Sequence, residues 1–278
     1  MVSVFAVLGP RLRRRIRRPG LSSANGNEIE FAALRQYAPT TLVDRVIHGH
    51  RLDCGEQEVT IMFVDLSGYT AFAEDLNPEE VFSFISRFTL VVSRAISENG
   101  GYVVEFNGDG MMAVFGSPSQ QPHKERAALR AARSILDAVS SLEASSMRRG
   151  LGVPPAEIGL ATGPAFVGNI RTADRCIWSA VGSTTNRASR LQRLAREFGA
   201  AIVIDSTTRA AVGPDSQLIG IPQVRIRGIR TPVDLFAHPQ PGAENALALR
   251  ARDAFDVRHA REGRHEPRLC LVPSAHSR

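Results

Sequence analysis

The stretch that most constrains the fold is Tyr102 to Gly116, YVVEFNGDGMMAVFG. Two short apolar runs flank Asn107-Gly108-Asp109-Gly110, and Asn-Gly and Asp-Gly are the dipeptides that accept the positive φ of a tight hairpin turn. Such a hairpin leaves one acid, Asp109, at its tip. A second acid, Asp65, ends the apolar run VTIMFVD (Val59 to Asp65) and leads into Leu66-Ser67-Gly68-Tyr69-Thr70. If the run and the hairpin lie side by side, the two carboxylates meet at one edge of the sheet. Each acid alone has an ordinary use, in a turn or as a helix cap. As a pair they suit hard divalent ions, which choose carboxylate oxygens and usually share them with a phosphate.

The rest of the chain fits a mixed architecture. Val59 to Asp65 reads as a strand buried on both faces. Asn77 can cap a helix that begins with Pro78, Glu79 and Glu80, carries the apolar stripe Val81, Phe84, Ile85, Phe88, Val92, Ala95 and Ile96, and stops at Asn99-Gly100-Gly101. A second helix is expected from His123 to about Leu142. Glu157 to Thr162 and Ala165 to Ile170 read as a strand pair across Gly163-Pro164, and Cys176 to Val181 as another strand. A helix from Ser183 to Phe198 stops at Gly199. Ala200 to Asp205 reads as a strand, Thr207 to Val212 as a short helix, and Val224 to Arg227 and Val233 to His238 as closing strands. This order predicts an α+β fold with helices on one side of a mainly antiparallel sheet.

Charge and cysteine usage narrow the function classes. Of 34 Lys and Arg, six lie in RLRRRIRR (Arg11 to Arg18), and the other 28 balance 28 Asp and Glu. The net charge of +6 is therefore local, which argues against a nucleic-acid-binding body. The arginines belong to a basic flexible arm, residues 1–30, which is either a solvated segment or a weak peripheral contact for anionic lipid. Cys54, Cys176 and Cys270 form no CxxC pair, so neither a zinc site nor a disulfide framework is indicated, and a reducing cytoplasm fits. No run of about 18 apolar residues predicts a membrane span. Val2 to Leu8 is apolar but precedes the arginines, the reverse of a secretory signal.

Three motifs in order, FVDLSGYT, EFNGDGMMAVFG and VGSTTNRASRLQ, resemble the class III nucleotide cyclases, the adenylyl and guanylyl cyclase family. The resemblance runs from about Leu34 to about Pro239. It implies a ferredoxin-like (βαββαβ) core with additional strands, a helical lead-in at 31–56, a catalytic domain at 57–239 and an Arg/Ala-rich tail, partly disordered, at 240–278. It also implies attack of a ribose 3′-hydroxyl on the α-phosphate of ATP or GTP, with pyrophosphate leaving and two Mg²⁺ or Mn²⁺ ions assisting.

The family's roles map onto matching positions. Asp65 and Asp109 match the two metal-binding aspartates, with the Leu66 backbone beside them. Ser67, Gly68 and Tyr69 stand where the family presents backbone amides to the β- and γ-phosphates. Asn186 and Arg190, four apart on one helix face, match the pair that holds the ribose and takes transition-state charge. Arg227, before Gly228, matches a basic residue aimed at the terminal phosphates, although Arg225 and Arg230 compete for that role. In the family each site lies at a dimer interface, one chain giving the aspartates and the other the Asn–Arg pair. A homodimer with two sites is implied.

The base-reading positions are Glu105 and Ser179. A carboxylate at Glu105, where adenylyl cyclases usually carry Lys, suits the N1–H and 2-amino group of guanine. The Ser179 hydroxyl serves either base. Family frequency favours ATP and the chemistry of Glu105 favours GTP. A catalytically silent dimerisation domain of the same fold would show damage at Asp65, Asp109, Asn186 or Arg190, and all four are intact. The GG[DE]EF turn of a diguanylate cyclase and the Walker A loop are both missing.

Overall fold

The computed structural model describes residues 54–146 and 152–247, except 172, 174, 175, 216 and 246, together with 43, 44, 47 and 48. The arm at 1–30, most of the lead-in at 31–56 and most of the tail at 240–278 lie outside the described residues, and with them the proposed lipid contact of Arg11 to Arg18.

The apolar run becomes β1 (Gly55–Leu66), followed by a short helix α1 (Tyr69–Glu74) and a long one, α2 (Pro78–Glu98). The sequence sets both ends of α2. The Asn77 side chain accepts from the Glu80 amide at 3.0 Å, and the Glu80 carboxylate accepts from the Asn77 amide at 3.1 Å, a reciprocal capping box. Then come β2 (Tyr102–Asn107), β3 (Gly110–Phe115), α3 (Lys124–Ser146) and β4 (Ala156–Arg171). The second half supplies β5 (Cys176–Val181), α4 (Ser183–Phe198), β6 (Ala200–Asp205), α5 (Ser206–Val212), β7 (Ile219–Val224) and β8 (Val233–Pro239).

These strands form one sheet in the order β2-β3-β1-β4-β6-β8-β7, with β5 paired to β4. The first four strands give the order β2-β3-β1-β4, all neighbours antiparallel, which is the βαββαβ arrangement expected. Among the described residues, only β4 and β6 pair in parallel. Helices α2 and α3 cover one face: Phe84, Phe88, Val92, Ile96, Ala128, Ala132 and Ile135 pack on Met62, Val64, Phe115 and Leu160. The stripe of α2 is the expected one, and each fully buried large side chain of that face contributes about 1.5–3 kcal/mol.

Three expectations need correction. Helices do not lie on one side only, because α4 covers the opposite face, where Ala188, Leu191 and Ala195 join Ile61, Met112, Ala161 and Val203. Gly163-Pro164 is not a turn. β4 runs through it as a 16-residue strand, paired with β1 from Ala156 to Val167. On its other edge β4 pairs with β6 at Ile158 to Leu160 and with β5 from Phe166 onward. The gap between these partners lets Pro164, which lacks an N–H, sit inside a strand. Side chains close that gap: Thr184 Oγ1 donates to the Pro164 carbonyl at 2.8 Å, and Arg187 Nη2 to the Thr162 carbonyl at 2.9 Å. Last, the strand before β8 is Ile219–Val224 rather than Val224 to Arg227.

Candidate active site

The hairpin forms as expected, with Asn107 paired to Gly110 and Gly108 at φ 65° in the turn. Register does the rest. Val64 of β1 is opposite Met111 of β3, so Asp65 comes beside the turn that carries Asp109. A Cβ on Gly110 would lie 3.7 Å from Asp65 Oδ1. Burial, then the negative charge of Asp109, push the Asp65 carboxyl up from 3.8 to about 6. Tyr69, the first residue of α1, stands near the same acid, and burial and the Asp109 charge raise its hydroxyl above the usual value.

Asp65 and Asp109 line a cleft of about 550 Å³ with Glu105, Gln192, Arg193 and Arg196. Glu105 reaches this cleft through a β-bulge. Val103 pairs with Ala113, Glu105 pairs with Met112, and Val104 is the extra residue. Without the bulge Glu105 would stand opposite Met111, whose side chain packs in the α2–α3 core; with it, Glu105 faces the side of α4. Ser179, the other expected base reader, is buried on β5 and is not among the cleft residues.

The cleft depends on how closely α4 approaches the sheet. A Cβ on Gly159 would stand 2.3 Å from both the Ala188 carbonyl and the Gln192 amide. Only glycine allows the helix backbone to lie directly on β4. That contact brings in three residues that the sequence reading missed. Glu157, at the start of β4, is 3 % exposed and accepts from Arg196 Nε at 3.0 and 3.3 Å and from Gln192 Nε2 at 3.3 Å. Burial raises its carboxyl, opposed by hydrogen bonds from Ser67, Arg196 and Gln192 and by the Arg196 charge. Gln192 Nε2 also reaches Asp65 Oδ2 at 3.4 Å. Arg196 Nη2 lies 3.7 Å from Asp65 Oδ2 and 3.4 Å from the Leu66 carbonyl. The signal that could have found them is a carboxylate opening an otherwise apolar strand, with Gln192 and Arg196 four apart on the helix.

The remaining expected residues divide. The Ser67 amide donates to the Pro155 carbonyl at 2.9 Å, so it is engaged within the chain rather than offered to a phosphate. Gly68 takes φ 77° just before α1, the backbone conformation a glycine there permits. Asn186 is exposed on the first turn of α4 and Arg190 is half-buried one turn on. Neither lines the cleft. The Arg190 guanidinium instead packs on the turn of Arg227 and Gly228, where a Cβ on Gly228 would meet Nη2 at 2.9 Å. Asn186, Arg190 and Arg227 thus all lie outside the cleft of the acidic pair. The first turn of α4 is held by Arg187, whose Nε stands 2.8 Å from Asp205 Oδ2, an ion pair without an aligned hydrogen bond.

The oxygens at the acidic pair, two carboxylates and the Leu66 carbonyl, fit a hard cation. Among the described residues, no group of three or more His, Cys, Asp or Glu gathers as a metal cluster, so further ligands would come from backbone, water or phosphate. No described helix is long and apolar enough to cross a membrane.

An acidic pair thus lies at the head of the antiparallel βαββαβ sheet, and Asn186 and Arg190 lie on α4 outside its cleft. Residues 54–231 match the profile of the adenylate and guanylate cyclase catalytic domain, and the chain belongs to that family. It is 25 % identical over 203 residues to adenylate cyclase 1 of Rhizobium meliloti, covering 72 % of this chain and 30 % of that protein. The chain spans about a third of the length of the first curated relatives it matches. Among solved structures it resembles the guanylyl cyclase Cya2, with a TM-score of 0.60, 29 % identity, and coverage of 66 % of this chain and 93 % of that one. The adenylyl cyclase CyaB from P. aeruginosa shares the fold at a TM-score of 0.61 and 24 % identity, over 68 % of this chain and 97 % of that one.

Proposed function

We propose that this nucleotide cyclase domain converts ATP to 3′,5′-cyclic AMP and pyrophosphate as a homodimer with two shared sites. The observation that carries the reading is the convergence of Asp65 and Asp109 at one cleft. Asp65, Asp109 and the Leu66 carbonyl would hold Mg²⁺ or Mn²⁺, which when bound lowers the pKa of the 3′-hydroxyl and neutralises the triphosphate. The chain's own groups do the rest. Asn186 orients the ribose, and Arg190 takes charge that develops on the α-phosphate. The amides of Gly68 and Tyr69 and the side chain of Arg227 bind terminal phosphates. The separation of Asn186 and Arg190 from the aspartates supports a site completed by a second copy. Asp65 and Asp109 of one protomer would then face Asn186 and Arg190 of its partner.

ATP is favoured by the adenylate cyclase relative that matches 72 % of the chain. GTP is the second reading, favoured by Glu105 in the cleft, where a carboxylate accepts from guanine N1–H and the 2-amino group. Product analysis with equal ATP and GTP and Mn²⁺, beside an Asp109→Ala control, tests both. Cyclic AMP as the main product supports the first reading. Cyclic GMP replaces it with the second, and no product from the intact chain at any concentration ends both.

A further inference from the structure

We propose that Arg196 is a built-in rival of the divalent cation at Asp65, held in reserve by Glu157 when a metal is present. The inference rests on reading Asp65 and Leu66 as metal ligands. One nitrogen of Arg196, Nη2, faces two oxygens of that set, Asp65 Oδ2 at 3.7 Å and the Leu66 carbonyl at 3.4 Å. Another, Nε, is bound by both oxygens of Glu157 at 3.0 and 3.3 Å. A guanidinium is a planar fork with five donors, so one side chain can serve a buried carboxylate and a metal site together. Glu157 is 3 % exposed, and a carboxylate so buried needs a lasting cation. The Arg196 side chain is 52 % exposed and has room to shift. Gln192 spans the same two acids at 3.4 and 3.3 Å but is neutral, so it orients Asp65 without competing for charge.

Two like-charged carboxylates at the head of a cleft are costly without a cation. Arg196 supplies part of that charge in the metal-free chain. When a divalent ion arrives, the guanidinium withdraws to Glu157, its better partner. Arg196 and Glu157 therefore set metal affinity in opposite directions, Arg196 by occupying the site and Glu157 by drawing Arg196 away. The device suits a chain that takes up its metal together with a nucleotide, because part of the carboxylate charge stays compensated between turnovers.

The test is Mn²⁺ binding to the full chain without nucleotide, followed by loss of the free-ion paramagnetic resonance signal, with thermal unfolding of each variant beside it. Arg196→Met tightens Mn²⁺ binding about 3- to 10-fold even where it lowers metal-free stability, and Glu157→Gln weakens it about 3-fold. Arg196→Lys keeps the charge but loses the fork, remains on Glu157, and binds Mn²⁺ like Arg196→Met. Wild-type affinity in both Arg196 variants overturns the proposal. So does tightening in Arg196→Met with wild-type affinity in Arg196→Lys, which would mean that only the electric field matters. Asp109→Asn separates the underlying reading: if it retains wild-type Mn²⁺ affinity, the metal site itself is misassigned and the rivalry falls with it.

Discussion

At the scale of single residues, the site is governed by what happens to a carboxylate beside another carboxylate. Burial and Asp109 raise the folded-state value of Asp65 to about 6, above its ordinary 3.8. The folded chain then holds a proton that the unfolded chain releases between those values. The metal-free protein therefore loses stability as pH rises from about 4 to about 6, and the penalty stays in place at higher pH. After allowance for solvent at this partly open site, Asp109→Asn returns roughly 1 kcal/mol above pH 6 and nothing below pH 4. Thermal unfolding at the two pH values checks this. The same substitution should abolish cyclase activity, so stability and function move in opposite directions at one atom. Glu105 makes a sharper demand on chemistry. Glu105→Lys removes an acceptor for guanine and should shift product from cyclic GMP toward cyclic AMP by about 10-fold or more, read from the ratio of products in mixed substrate. Asp65 was legible because it ends an apolar run, and Asp109 because it stands in the Asn-Gly-Asp-Gly turn of a hairpin. Glu157, Gln192 and Arg196 were not, since Glu157 lies 35 to 39 positions from its partners and meets them only because a helix rests on a glycine.

At the scale of elements, that glycine is the most exacting position in the fold. Gly159→Val must push α4 away from β4, since even a Cβ would overlap two backbone atoms at 2.3 Å. The cost should be about 3 kcal/mol, seen in urea unfolding, and Gln192 and Arg196 would lose their reach to Asp65. Phe88→Ala, on the other face, should cost a similar 3–5 kcal/mol with no direct effect on the cleft, because Phe88 belongs to the α2–α3 core. Comparing the two variants at equal residual stability separates loss of fold from loss of site. The elements that the sequence revealed share a feature: their pattern is complete within the segment. Residues 77 to 99 carry cap, stripe and stop, and α4 runs from Ser183 to its left-handed Gly199 as expected. The elements misread depend on neighbours. β7 contains Gly220 and Pro222, which weaken a strand signal, yet it lies at the end of the sheet, where proline is tolerated. Gly163-Pro164 looks like a turn until β4 is seen changing partners from β6 to β5. The bulge at Val104 that turns Glu105 into the cleft leaves no mark in YVVEFN at all.

At the scale of the whole molecule, the acidic pair and the Asn186–Arg190 pair sit apart on one chain. The aspartates line the cleft, while Asn186 and Arg190 do not, and Arg190 is packed against the Arg227–Gly228 turn. On the proposed function, a single protomer holds two incomplete sites, and a two-fold pair of protomers would complete both, since a symmetric interface presents each surface to its counterpart. The consequence can be tested with two inactive proteins. Asp109→Ala lacks the metal half and Arg190→Ala lacks the transition-state half, so each alone should be inactive. In an equal mixture that exchanges subunits freely, about half of the dimers are mixed. Each mixed dimer has one site with both defects and one with neither. The mixture should regain roughly a quarter of wild-type activity, and dilution below the dimer dissociation constant should lower specific activity in mixture and wild type alike. A mixture as inactive as its components, under conditions where exchange of tagged subunits is demonstrated, would mean that each chain works alone. Arg190 would then have to leave the Gly228 turn and reach Asp65 within one protomer, against the placement that α4 takes on Gly159.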